Sequence, residues 1–119
     1  MWDLMRAPMT PPLCLLSDIP DPGAKGFVVE RAGQRLKVFV VRRDGEVFGY
    51  VNSCPHLGVP LELDPDAFLD LDKSRILCAN HAALFDIDDG LCVRGPCAGR
   101  SLERYPVIVQ DGRIIPQGI

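Results

Sequence analysis

Apolar residues in this chain come in short β-prone runs. Each run is bounded by Gly, Pro, Asn or Asp, and none holds the three-to-four-residue spacing of a helix for a convincing length. The runs predict strands at residues 13–16, 26–29, 36–41, 47–51, 74–77, 83–87, 91–93, 102–110 and 113–115. Asp44-Gly45, Asp89-Gly90 and Asp111-Gly112 each fall between two such runs. These residues tolerate the positive φ that a tight hairpin needs. Many short strands at near-even spacing predict an all-β fold. Residues 62–72 are the exception, an acidic stretch that fits a short helix or an ordered loop. Residues 1–12, which end in Thr10-Pro11-Pro12, read as an extended tail. Residues 13–119 then form one domain.

Composition narrows the picture. With 13 Lys and Arg against 16 Asp and Glu, the formal net charge is −3, and no basic face for nucleic acid is in sight. The pair Arg42-Arg43 is isolated and reads as the solvated end of a strand. No apolar run is long enough to cross a bilayer. The start Met1-Trp2-Asp3-Leu4-Met5-Arg6 lacks the basic opening and apolar core of a secretory signal. The expectation is a cytoplasmic protein without membrane or nucleic-acid partners. Trp2 either anchors the tail or lies free of the domain.

The chemistry sits in two runs. Cys54-Pro55-His56-Leu57-Gly58 and Cys78-Ala79-Asn80-His81 hold both histidines of the chain and two of its five cysteines, with 21 residues between His56 and Cys78. Each run pairs a thiolate with an imidazole and lies between β-prone segments. Both are therefore expected at the tips of neighbouring loops that face each other. Two Cys and two His match the ligands of a [2Fe–2S] cluster in which imidazoles replace thiolates on one iron. Structural zinc takes the same donors, but zinc sites more often order them as a Cys pair followed by a His pair. The plainest alternative is two buried cysteines and two ordinary histidines, which requires matched spacing by chance.

The resemblance extends beyond these ligands. Residues 42–56 resemble the hairpin that enters the first cluster loop of Rieske domains. His81-Ala82-Ala83-Leu84-Phe85-Asp86 resembles the exit from the second loop. Asp89-Gly90-Leu91-Cys92-Val93-Arg94-Gly95-Pro96 is similar to the following hairpin and its Gly-Pro loop, which covers the cluster. The likeness spans about residues 13–116. It implies the Rieske fold, an antiparallel β-sandwich-like domain with a cluster-binding subdomain of two facing loops, and one [2Fe–2S] cluster per chain. It also implies that Cys54 and Cys78 bind one iron, and that His56 and His81 bind the other through Nδ1.

Departures from the family pattern say which kind of member this is. High-potential relatives carry a disulfide between the two cluster loops. Its half-cystines would fall at Val59 and at Asn80 or a neighbour, where this chain has no cysteine. The same relatives place Ser and Tyr hydroxyls against the cluster, where this chain has Ala83 and Phe85. Hydrogen bonds to sulfur favour the reduced cluster, so their loss lowers the potential. Many relatives have Gly or Trp where this chain has Ala82, which puts the local loop conformation in question. The stretch between the two ligand runs is also long for the family. Its acids, Glu62, Asp64, Asp66, Asp70 and Asp72, read either as a docking surface for a basic partner or, more plainly, as a solvated loop.

The remaining cysteines are Cys14, Cys92 and Cys97. Cys14 is expected to be buried in the first strand. Cys92 and Cys97 flank Gly95-Pro96. They allow a loop disulfide or a redox role, and more plainly a strand residue and a packing residue near the cover loop. The function implied by the resemblance is a one-electron carrier, a low-potential Rieske-type ferredoxin. It would pass electrons from a flavin-dependent reductase to a terminal oxygenase or reductase. It is not an enzyme itself, because the mononuclear iron of a Rieske oxygenase needs two further histidines that this chain lacks. The alternatives are a small Rieske-like subunit of a nitrite reductase or other multi-component oxidoreductase, and a structural zinc-binding module.

Overall fold

The structure, a computed structural model, describes residues 11–55, 58–62, 64–80 and 82–117. Among the described residues there are nine strands: β1 (Cys14–Leu15), β2 (Gly23–Arg31), β3 (Gln34–Arg43), β4 (Glu46–Val51), β5 (Ile76–Cys78), β6 (Ala83–Phe85), β7 (Cys92–Arg94), β8 (Val107–Gln110) and β9 (Arg113–Pro116). They form three antiparallel sheets of three strands, ordered β2-β3-β4, β1-β9-β8 and β5-β6-β7. The all-β expectation holds, and the only described helix is one 3₁₀ turn at Leu16–Asp18.

Strand β3 is the spine. Val38, Phe39, Val40 and Val41 are all fully buried, because this strand is covered on both faces. Phe39 and Val41 face one core with Tyr50, Leu61, Phe68, Ile76 and Phe85. Val40 faces a second core with Ile19 and Ile114. A strand covered on both sides reads as a continuous apolar run, and residues 38–41 do so. The first core belongs to the β5-β6-β7 end of the molecule and the second to the β1-β9-β8 end. Phe39 and Phe68 stack at 4.4 Å with their rings 4° from parallel, which fastens the acidic stretch onto the central sheet.

Several expectations need correction. Residues 102–110 are not one strand, and only Val107–Gln110 joins a ladder. The backbone before Pro106 is shared among partners on different elements. Leu102 N–H donates to Gly90 O, Val51 N–H to Glu103 O, and Tyr105 N–H to Gly49 O. Strand β2 is much longer than residues 26–29, because Ala32 and Gly33, at φ 54° and 79°, close a hairpin that fuses it to β3. The segment 62–72 holds no helix among its described residues. It is an ordered loop whose Asp66 sits at φ 62°. The Arg42-Arg43 pair is not free in solvent. Arg42 donates to Leu16 O at 3.3 Å and Ile19 O at 2.9 Å, and Arg43 pairs with Asp88. Cys14 is half-buried, not buried. Trp2 and most of the tail lie outside the described residues.

Tyr50 joins the central sheet to the β5-β6-β7 end. Its ring is buried, and its hydroxyl donates to Ile87 O at 2.5 Å. Burial pushes its pKa up to about 12, with Arg104 pulling the other way. The unfolded phenol ionises near pH 10 while the folded one keeps its proton. The stability gained from the buried neutral group is therefore complete below pH 10 and is lost as pH rises from 10 toward 12. Tyr50→Phe is expected to lose about 1–3 kcal/mol at neutral pH, because Ile87 O is left unpaired. It should also flatten the alkaline decline. Urea unfolding at neutral and alkaline pH measures both effects, and a variant with an unchanged alkaline slope would remove Tyr50 as the titrating group.

Candidate metal centre

The first ligand loop begins where β4 ends. Asn52 N–H donates to Lys37 O and Ser53 N–H to Val51 O, and the chain then leaves the sheet. Cys54 N–H donates to Val59 O at 2.8 Å and Gly58 N–H donates to Cys54 O at 2.7 Å. This tight turn needs Gly58 at φ 74°. Asn52, the one buried polar residue among those described, braces the loop. Its Oδ1 accepts Leu61 N–H at 2.8 Å, and its Nδ2 donates to Glu62 Oε1 at 2.9 Å.

Cys78 is the last residue of β5, directly opposite Ala83 at the start of β6. The turn between them carries Ala82 at φ 55°, a left-handed conformation that favours glycine. This gives the Ala82 departure a physical cost. Two bonds tie the second loop to the first. Ala79 N–H donates to Leu61 O at 2.9 Å, and Asn80 Nδ2 donates to Pro60 O at 2.9 Å. Asn80 Nδ2 also lies 3.8 Å from Cys78 Sγ as a donor. Asn80 thus makes a non-covalent tie between the loops, near the position where a half-cystine was expected in high-potential relatives.

Cys54 and Cys78 are both buried and belong to the same core. Burial raises the Cys78 pKa, and the Cys54 thiol adds to the rise. The backbone and side chain of Asn80 pull it down. Two facing thiols in an apolar setting suit a metal that takes them as thiolates and displaces their protons. The chemistry of this donor pair fits the thiolate half of a mixed Cys/His cluster. His56 and His81 lie outside the described residues. Ala83 and Phe85 are fully buried beside these thiols in the same core.

A third loop meets the other two. Gly95, at φ 111°, packs against the second loop's exit so closely that an added Cβ would lie 2.9 Å from Ala83 Cα. Arg100 Nη1 donates to Pro55 O in the first loop at 3.4 Å. This third loop therefore touches the first ligand run through Arg100 and the exit from the second through Gly95. The Cys92 and Cys97 sulfurs meet within it at 2.7 Å. Sequence reasoning did not find Asn52 or Arg100. An Asn at a strand end, two residues before a ligand Cys, was the available signal for the first.

The acidic stretch spends much of its charge internally. Asp66 accepts Gly26 N–H and pairs with Lys25, Asp70 accepts Ser74 and Arg75 N–H, and Glu62 holds Asn52. These contacts favour an ordered, solvated loop over a docking surface.

Comparison with known proteins agrees with this geometry. The family model of the Rieske [2Fe-2S] domain matches residues 10–108. The chain is 33% identical over 99 residues to the cytochrome bc1 complex Rieske iron-sulfur subunit of Mycobacterium tuberculosis, covering 82% of this chain and 20% of that one. It thus spans only a fifth of the length of that relative. It is 28% identical over 102 residues to the 3-phenylpropionate/cinnamic acid dioxygenase ferredoxin subunit of Photorhabdus laumondii, covering 86% of this chain and 88% of that one. Among solved structures, a Sphingomonas yanoikuyae B1 ferredoxin superposes with a TM-score of 0.67 at 29% identity, covering 92% of this chain and 99% of that one.

Proposed function

The chain belongs to the Rieske [2Fe-2S] domain family, and from that premise we propose that it is a one-electron carrier, a Rieske-type ferredoxin in a multi-component oxygenase or reductase system. The bound cluster supplies the one-electron chemistry. Cys54 and Cys78 hold one iron, and His56 and His81 hold the other. The observation that carries the ligand assignment is the pair of facing, buried thiols at the tips of two loops tied together by Asn80. The carrier role draws on the likeness to a dioxygenase ferredoxin subunit, 88% of which is covered. Its partners are then a flavin-dependent reductase and a terminal oxygenase. The cytoplasm is its place, residues 1–12 are a tail, and residues 13–119 are the cluster domain. No described helix is long and apolar enough to cross a membrane.

The test is the EPR spectrum of the dithionite-reduced protein, with its visible absorption. A rhombic signal with average g below that of an all-cysteine [2Fe–2S] ferredoxin supports mixed His/Cys ligation. A colourless, EPR-silent protein that contains zinc would replace this reading with a structural module.

Phe85 and Ala83 lack hydroxyls, so the midpoint potential is expected near the low end of the Rieske range, about −150 mV. Phe85→Tyr should raise it. A hydrogen bond worth about 1 kcal/mol more to the reduced than to the oxidised cluster moves a one-electron potential by about 40 mV. Protein-film voltammetry reads the shift, and an unmoved or lower midpoint would count against a hydroxyl at that position reaching the cluster. Asn80→Ala removes a donor to Cys78 Sγ and should lower the potential by a similar amount.

A further inference from the structure

Cys92 and Cys97 have no part in the ligand set, yet they are the most closely paired side chains near it. Both are buried, at 2% and 1% exposure, and their sulfurs touch at 2.7 Å. Between them, residues 93–96 are all exposed. The chain there is a short surface loop with a sulfur turned inward at each end. Backbone bonds fix both ends. Cys92 N–H donates to Arg100 O, Gly99 N–H to Cys92 O, and Arg100 N–H to Cys97 O. Sulfurs held in contact by a fixed backbone need little side-chain movement to bond, because a disulfide requires its Cα and Cβ atoms already near.

We propose that Cys92 and Cys97 form a reversible disulfide that closes the Gly95-Pro96 loop over the two ligand loops. The oxidant is a small-molecule disulfide of the glutathione class. One cysteine gives up its proton and attacks this disulfide, forming a mixed disulfide and releasing one thiolate. The second cysteine loses its proton and attacks the mixed disulfide, forming the Cys92–Cys97 bond and releasing the second thiolate. The protein loses two electrons and two protons, and the oxidant becomes two thiols. Burial pushes the Cys97 pKa up to about 12, with the neighbouring Cys92 adding to the rise. Cys97 therefore keeps its proton while the loop is closed, and exchange proceeds as the exposed residues part. Gly95 rests on Ala83 at the exit of the second ligand loop and Arg100 reaches Pro55 O in the first, so the bond would staple a loop that packs beside both.

The holoprotein is incubated with oxidised or with reduced glutathione, acid-quenched, denatured, alkylated and weighed. The reduced sample should carry five alkyl groups, one per cysteine. The oxidised sample should carry three and no glutathione. Trypsin cuts after Arg94, so the bond should link peptide 76–94 to peptide 95–100 through Cys92, with Cys78 alkylated. Dithiothreitol should restore five. Five alkyl groups after oxidised glutathione, a persistent glutathione adduct on either cysteine, or a link through Cys14, Cys54 or Cys78 would each overturn the proposal. The absorption of the same sample before quenching reports the cluster independently, so this pair and the ligand assignment stand or fall separately.

Discussion

Replacing Cys78 with serine is expected to remove the cluster altogether, leaving a colourless protein with background iron and no EPR signal on reduction. The size of the effect follows from the site. Cys78 closes β5 opposite Ala83 and shares a core with Cys54, on loops tied to each other by Ala79 and Asn80. A serine oxygen is a poor substitute for a soft thiolate toward iron–sulfur clusters. Cys54→Ser should behave alike. Cys14→Ser is the control, because Cys14 lies on β1 at the opposite end of the molecule and should keep full iron content. Iron and acid-labile sulfide per chain measure all three. A Cys78→Ser protein that keeps its colour and its iron would show the ligand set to be wrong.

The second large effect concerns the joint beneath the site. Gly49→Ala should lose about 3 kcal/mol of stability, at the upper end of overpacking costs. A Cβ at position 49 would lie 2.2 Å from Tyr105 O and 3.2 Å from Val107 Cγ1. The first neighbour is backbone and cannot swing away. Tyr105 N–H is itself bonded to Gly49 O at 2.9 Å, so any retreat also breaks that bond. Gly33→Ala offers a contrast. Nothing lies within 4 Å of its Cβ, and only its φ of 79° is unfavourable, at about 1 kcal/mol. Chemical denaturation ranks the two. Equal losses would mean that the Gly49 contact relaxes more easily than a backbone neighbour allows.

What the sequence revealed followed from local chemistry. Asp44-Gly45 and Asp111-Gly112 have positive φ at both residues and make the hairpins expected of them. Residues 38–41 are as buried as their unbroken apolar run implied. The two Cys-containing loops also meet, as their flanking strands suggested. The Ala32-Gly33 hairpin was hidden because alanine gives no turn signal, and the register of nine residue pairs between β2 and β3 holds it in place. Residues 102–106 were misread as strand because their apolar pattern reports burial, not pairing, and their hydrogen bonds go to several partners. Asn52, Asn80 and Arg100 act on residues distant in sequence or across a loop, and periodicity carries no trace of such contacts. The meeting of Cys92 and Cys97 depends on a turn whose geometry spacing alone leaves open.

Val51 and Glu103 share a backbone hydrogen bond of 2.8 Å, and Tyr50 bridges Arg104 beside it. The chain therefore departs for the metal-binding end and comes back to the same spot. The detour is already closed at its base, so lengthening it changes only a slowly growing closure entropy, about 0.6 kcal/mol for each doubling. The basal sheets are indifferent to how much chain the detour contains. That indifference makes the extra acidic stretch at residues 62–72 inexpensive, and it leaves the metal-binding end free to be remodelled by insertion while the β2-β3-β4 platform stays unchanged.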